Sequence, residues 1–108
     1  MLDEETHYRV LRLLSANPEI SQRDLARELG ISLGKVNYCV KALVERGWVK
    51  VANFKNSRNK VAYSYLLTPR GLEHKGRLAV QFLRTKAREY EDLNAEIERM
   101  RVEAERRK

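Results

Sequence analysis

Few residues of this chain belong to the types that build disulfides, metal sites or membrane spans. The 108 residues include one cysteine and two histidines, so no intrachain disulfide can form. Cys39, His7 and His74 alone are too few for an ordinary zinc site. No apolar run approaches the ~20 residues of a membrane-spanning helix, and the acidic start of the chain lacks the apolar stretch of a secretory signal. These absences predict a cytoplasmic protein without a metal or a cofactor.

What the sequence does contain is a large and unevenly distributed charge. Charged residues make up 34% of the chain and apolar residues 43%, a mixture that is typical of a folded domain. Lys and Arg exceed Asp and Glu by 22 to 15, a net charge of +7. Between residues 20 and 71, ten basic residues accompany only three acidic ones, whereas residues 84–108 are almost balanced. We therefore expect an anionic partner to bind the middle of the chain.

Hydrophobic spacing and capping residues predict three short helices, then a hairpin, then one long helix. Three candidate N-cap residues precede apolar stripes of helical period: Asp3, Ser21 and Ser32. Three candidate stop signals follow those stripes: Asn17-Pro18, Gly30 and Gly47. Two runs rich in β-branched and aromatic residues, 48–54 and 61–67, flank a polar turn and predict the hairpin. Thr68 and Pro69 then begin a helix that no proline interrupts.

The short connection between the second and third helices indicates the fold. Three residues that include Gly30 separate them, which is the spacing of a helix-turn-helix. The hairpin that follows makes this a winged helix-turn-helix. We predict a mainly α fold with a β-hairpin, in which residues 1–71 form a DNA-binding domain and residues 72–108 a long C-terminal dimerisation helix.

The outward face of the third helix carries side chains that suit a DNA major groove. Asn37 has the amide geometry for a bidentate contact with adenine, and Lys35 and Lys41 can meet phosphates or guanine. The start of the second helix is expected to cross the DNA backbone, and the basic hairpin tip to lie beside phosphates or in the minor groove. The predicted DNA-binding residues are Ser21, Gln22, Arg23, Ser32, Leu33, Gly34, Lys35, Asn37, Tyr38, Lys41, Lys55, Asn56, Arg58 and Lys60.

Residues 5–72 resemble the MarR-type winged-helix transcriptional regulators. The resemblance is carried by the segments EISQRDLARELGISLGKVNYCVKALVERGWVK and YSYLLTPRG, which are similar to the family's helix-turn-helix and to the start of its last helix. The run LGKVNYCVKAL looks most like small regulators associated with exopolysaccharide gene clusters. The resemblance implies a transcriptional repressor with Lys35, Asn37, Tyr38 and Lys41 on its recognition helix and Arg58 on its wing.

The last helix has a heptad pattern over three repeats. The a positions are Leu83, Tyr90, Ile97 and Ala104, and the d positions are Lys86, Leu93 and Met100. Burying each large apolar side chain of this stripe contributes about 1.5–3 kcal/mol, which favours a coiled-coil homodimer over an unpaired surface helix. Glu96 at a g position can meet Arg101 at an e position of a parallel partner, so we expect the parallel arrangement.

The leading hypothesis is a homodimeric, sequence-specific regulator of double-stranded DNA that acts on a pseudo-palindromic operator. A second hypothesis is a protein–protein interaction module assembled by the coiled coil. A third, binding of RNA or single strands, lacks an evident aromatic stacking platform. No constellation of catalytic residues is present, so we expect no enzyme activity, and we leave open whether a small-molecule effector exists. Cys39 is interpreted as a buried apolar residue, with a redox sensor as the alternative.

Overall fold

Six elements follow one another in the computed structural model, which describes residues 4–55 and 61–107. They are α1 (Glu4–Ala16), α2 (Gln22–Leu29), α3 (Leu33–Glu45), β1 (Val49–Lys55), β2 (Val61–Leu67) and α4 (Pro69–Arg106). The order and the type of these elements are those predicted, so the winged helix-turn-helix fold is confirmed. Asp3, the expected cap of the first helix, lies outside the described residues.

The core of the winged domain is formed by the apolar stripes of its first three helices together with the start of the hairpin. Its fully buried side chains include Val10, Leu11, Leu14, Leu25, Val36, Leu43 and Val49. Truncating one such leucine to alanine typically costs about 2–5 kcal/mol, because a cavity remains. The core thus fixes the rotation of each helix, and with it the face that each helix turns to solvent.

The turn between α2 and α3 is held by caps at both helix ends. Ser21 Oγ accepts a hydrogen bond from the Asp24 N–H at 3.0 Å, and Ser32 Oγ accepts one from the Lys35 N–H at 3.1 Å. Gly30 ends α2 with φ of 68°, in the left-handed region that favours glycine. The predicted capping roles of Ser21, Gly30 and Ser32 are confirmed. Because both helix ends at the turn are capped, three residues suffice to connect α2 to α3.

The hairpin is one antiparallel pair of strands. Its register places Val51 opposite Tyr65 and Asn53 opposite Tyr63. The Tyr65 N–H donates to the Pro18 carbonyl at 2.8 Å, which fastens β2 to the loop between α1 and α2. Because side chains two positions apart along a strand point to the same face, Tyr63 and Tyr65 lie on the same side of the hairpin.

Trp48 organises the junction at which the hairpin begins. Its indole stacks on the His74 ring with 4.0 Å between centroids, and His7 contacts it edge-on at 6.5 Å. The Arg46 guanidinium lies 5.2 Å from the centre of the same ring. Both histidines therefore have packing roles in the fold.

Two compact units divide the chain: residues 1–78 and residues 79–108. In the first unit, α4 buries Gly71 and Leu78, whereas the sequence analysis placed the domain boundary after residue 71. In the second unit, residues 79–106 belong to α4, and Arg107 follows in a turn. Within residues 4–55 and 61–107, no helix combines the length and the hydropathy that crossing a bilayer requires.

Candidate nucleic-acid interface

The face of α3 that points away from the core is polar and exposed. Val36, Cys39, Val40 and Leu43 of this helix are buried. Five of the predicted contact residues on the same helix are exposed: Gly34, Lys35, Asn37, Tyr38 and Lys41. Leu33 is also exposed, at 46%. The structure therefore places the predicted recognition residues of α3 together on one accessible surface, which we call the α3 face.

The N-terminus of α2 adjoins the α3 face. Ser21 and Arg23 are exposed, whereas Gln22 is half-buried. The Ser21 hydroxyl already serves as the cap of α2, and Gln22 is held by hydrogen bonds on both sides. This end of α2 thus contributes one exposed guanidinium and one fixed amide to the surface.

A chain of three side chains connects α3, α2 and β2. Asn37 Nδ2 donates to Gln22 Oε1 at 3.2 Å, and Gln22 Nε2 donates to the Tyr65 hydroxyl at 3.1 Å. We call this set the amide relay. Asn37 and Gln22 were predicted from the sequence, whereas Tyr65 was not. A signal was available: a tyrosine at a buried strand position needs a polar partner for its hydroxyl, and Tyr65 is only 9% exposed.

The amide relay borders an open cleft of about 510 Å³. Its lining comes from the start of α2, from α3 and from β2: Glu19, Ile20, Ser21, Gln22, Asn37, Ala62, Tyr63 and Tyr65. Because the cleft adjoins the α3 face, solvent and any bound molecule can reach both amides of the relay from the same side.

The predicted contacts of the hairpin tip fall on a part of the chain that is not described. Lys55 ends β1, and Asn56, Arg58 and Lys60 lie outside the described residues. On the described part of β1, Lys50 is exposed. The role of the wing in DNA binding stays a prediction from its charge.

Cys39 is fully buried on the inner side of α3. Burial raises the pKa of its thiol from the ordinary value of 9.0 to about 11, although the positive charge of Arg46 acts in the opposite direction. A redox sensor needs an accessible thiol with a low pKa, so the interpretation of Cys39 as a small apolar core residue is confirmed.

Comparison with known proteins agrees with this geometry. Residues 3–50 match a family of winged helix-turn-helix DNA-binding domains. The structure is similar to the PcaV transcriptional regulator from Streptomyces coelicolor in complex with its natural ligand, with 25% identity and a TM-score of 0.64 over 78% of this chain and 58% of that chain. No protein with a curated description matches the sequence.

Two further regulators have the same fold. A MarR family protein from Mycobacterium tuberculosis in complex with p-aminosalicylic acid is 25% identical, with a TM-score of 0.62 over 77% of this chain and 61% of that chain. The adhesin competence repressor from Streptococcus pyogenes is 25% identical, with a TM-score of 0.60 over 80% of this chain and 61% of that chain. This chain thus spans about three fifths of the length of these regulators.

The resemblance to MarR-type regulators is confirmed by these neighbours and by the matched winged helix-turn-helix family. The matched family is one of DNA-binding domains, and the three neighbours named here are transcriptional regulators. The narrower likeness to regulators associated with exopolysaccharide genes stays a prediction.

Proposed function

We propose that this chain is a sequence-specific regulator of transcription that binds double-stranded DNA as a homodimer. The observation that carries the proposal is the α3 face, a row of exposed polar and basic side chains on a capped helix of 13 residues. Such a helix is about 20 Å long and fits lengthwise into a major groove. The surrounding segment of residues 20–71 carries the +7 charge that attracts phosphates.

On this proposal the residues of α3 divide between positioning and base recognition. Ser32 Oγ accepts a hydrogen bond from the Lys35 N–H. The N–H groups of Leu33 and Gly34, also in the first turn of α3, can then donate hydrogen bonds to a phosphate. Lys35 and Lys41 bind phosphates or guanine. Asn37 recognises a base edge, because its amide offers a donor and an acceptor side by side.

The homodimer rests on the second unit of the chain. Five large apolar side chains of the predicted heptad stripe are exposed there: Leu83, Tyr90, Leu93, Ile97 and Met100. A parallel coiled coil with a second copy buries this stripe and joins Glu96 of one chain to Arg101 of the other. In the single chain Arg101 instead lies 3.7 Å from Glu98, an exposed pair that contributes little and can yield to the partner.

Dimerisation makes two α3 faces act on one DNA molecule. Two tethered modules gain affinity through effective concentration, and a twofold arrangement predicts a pseudo-palindromic operator with half-sites ~10 bp apart. A dimer seated on an operator excludes other proteins from the same DNA, so we propose repression as its effect.

The deciding experiment selects bound sequences from random duplex DNA and measures the mass of the complex by light scattering. We expect an enriched pseudo-palindrome and two chains per duplex. Affinity should also fall steeply with salt, because each neutralised phosphate releases counterions. A selection that enriches no sequence, with DNA affinity at background, would instead favour the protein-interaction module.

A further inference from the structure

We propose that Leu33 is a specificity-determining residue whose side chain packs against the C5-methyl group of a thymine in the major groove. This inference rests on the proposed function of the α3 face, and it adds an apolar base contact to the polar ones. Leu33 is the first residue of α3, and the N-terminal residues of such a helix are the ones that contact base edges. The thymine methyl is the apolar group that the major groove presents to them.

Leu33 is an apolar side chain on a face that is otherwise mostly polar. Its exposed fraction is 46%. All residues of α1, α2 and α3 are described, and Leu33 is the one large aliphatic side chain that these three helices expose. The exposed side chains that follow it on α3 include Lys35, Asn37 and Lys41. An aliphatic side chain at this position gains nothing from a phosphate, but it gains from a methyl group that it can cover.

The neighbouring Gly34 indicates that the backbone of α3 comes close to a partner at this point. Gly34 lies within the helix and without a positive φ, where glycine is less stable than alanine. Among the described residues, a Cβ on Gly34 would meet only the Ser32 Oγ, at 4.0 Å, so packing within the winged domain does not require glycine here. The missing side chain instead lets the helix approach the groove floor, which brings the side chain of Leu33 within reach of a base edge.

Leu33 is in line with the residue proposed to recognise adenine. Leu33, Asn37 and Lys41 are four positions apart, so their side chains follow one another along a single ridge of α3. Leu33 and Asn37 are separated by about 6 Å along the helix axis, and successive base pairs of DNA by about 3.4 Å. We therefore expect the thymine within about two base pairs of the adenine that Asn37 recognises.

The backbone and the side chain of Leu33 can act on different parts of the DNA. The N–H group points along the helix axis toward the start of α3, where a phosphate can accept its hydrogen bond. The side chain projects from the side of the helix, which is the surface that enters the groove. Phosphate binding by the backbone and methyl recognition by the side chain are thus compatible at this one residue.

The test removes the methyl group and leaves the rest of the base unchanged. Each thymine of the selected operator is replaced in turn by deoxyuridine, at the same position of both half-sites, and binding of the full chain is measured by fluorescence anisotropy. Wild type should lose about fourfold in affinity per half-site at one position, the effect of exposing one methyl-sized group. This position should lie within about two base pairs of the one that Asn37→Ala identifies. If no replacement weakens binding, the inference fails.

Substitution of Leu33 should abolish this dependence on the methyl group. Leu33→Ala should bind the thymine and deoxyuridine operators equally, whereas Leu33→Met keeps a large apolar side chain and should retain most of the methyl effect. The salt dependence of Leu33→Ala should match that of wild type, since no phosphate contact is lost. A methyl effect that survives Leu33→Ala would overturn the inference and assign the contact to another residue, such as the exposed Tyr38.

The matched control is Leu72→Ala. Leu72 is 54% exposed but lies on α4, so its truncation should leave the ratio of affinities for the thymine and deoxyuridine operators at the wild-type value. If wild type itself selects no sequence, the proposed function fails. If wild type is selective but tolerates every deoxyuridine, only the role of Leu33 fails.

A second variant tests the close approach of α3 without removing Leu33. Gly34→Ala should raise the melting temperature, because alanine favours a helix, yet it should lower both the affinity for the operator and the methyl effect. Loss of binding in a more stable protein cannot be ascribed to unfolding. If Gly34→Ala binds both operators as wild type does, α3 does not approach the groove floor at this point, and the inference is overturned.

Discussion

Gly71 lies against the backbone carbonyl of Trp48, so closely that a Cβ on Gly71 would overlap that oxygen. The same carbonyl accepts the Thr68 N–H at 3.0 Å, and the Thr68 hydroxyl caps α4 by accepting the Gly71 N–H at 3.1 Å. The first turn of α4 is therefore locked to the start of the hairpin through backbone groups, which cannot move aside as a side chain can.

We expect Gly71→Ala to destabilise the winged domain by about 1–3 kcal/mol, the usual cost of overpacking a tight contact. Gly76→Ala is the control, because a Cβ there meets no atom within 4 Å. In a helix interior that change should stabilise by about 0.5–1 kcal/mol. Thermal unfolding of both variants measures the difference. Equal melting temperatures would mean that α4 does not approach Trp48 as described.

The parts of the fold that could be predicted from sequence are those set by neighbouring residues. Ser21, Gly30 and Ser32 act within three or four positions along the chain, so their capping roles were evident before the structure. The end of α3 was predicted to within one residue. Gly47, the predicted stop signal, has a φ of 75°, but the cap residue of α3 is Arg46, one position earlier. Each is a local preference of backbone and side chain.

The pairing of residues within the amide relay could not be predicted, because the partners lie 15 and 43 positions apart in the sequence. Such contacts depend on how α2, α3 and β2 pack together, and periodicity gives the buried face of each element but not which polar atoms meet across them. The tight approach of Gly71 to Trp48 was missed for the same reason. Sequence patterns thus predicted the exposed face of α3 but not the contacts that hold it.

The oligomeric state can be tested by a charge placed on or off the heptad stripe. Ile97 and Val102 are both β-branched and 44% and 41% exposed, but only Ile97 occupies a predicted a position. Ile97→Glu should therefore shift the sedimentation mass from two chains toward one, whereas Val102→Glu should leave it unchanged. Only Ile97→Glu should lower the affinity for the operator, because only this variant is expected to lose the dimer. A dimer that survives Ile97→Glu but not Val102→Glu would place the interface on another face.

The buried thiol predicts a pH dependence with a definite sign. Because the pKa of Cys39 is raised from 9.0 to about 11 by burial, the folded protein holds the thiol proton more tightly than the unfolded chain does. This contribution to stability is complete below pH 9 and is lost as the pH rises toward 11. The stability difference between wild type and Cys39→Ala should shrink across that range, as measured by urea unfolding at each pH.

The same thiol should resist alkylation in the native state. At pH 8 we expect iodoacetamide to modify Cys39 far more slowly in the folded protein than in urea. In the folded protein the reagent cannot reach the buried sulfur, and little of the thiol is ionised to the reactive thiolate. Mild peroxide should likewise leave operator binding unchanged. Native labelling as fast as in urea would show that the inner side of α3 opens readily.

The proposed roles of Lys41 as a phosphate contact and of Asn37 as a base contact can be tested with two alanine variants. Lys41 is exposed, and a lysine that contacts a phosphate should bind every DNA sequence alike. Lys41→Ala should therefore lower the affinity for specific and random duplexes about equally. It should also reduce the slope of log affinity against log salt concentration by about 1. Asn37→Ala should instead relax the preference at one base pair, at a cost of about 1–3 kcal/mol for the operator, and leave random duplex almost unaffected. Fluorescence anisotropy over a salt series measures both. Identical behaviour of the two variants on specific and random DNA would show that α3 does not enter the groove by this face, since a base contact and a phosphate contact cannot respond alike.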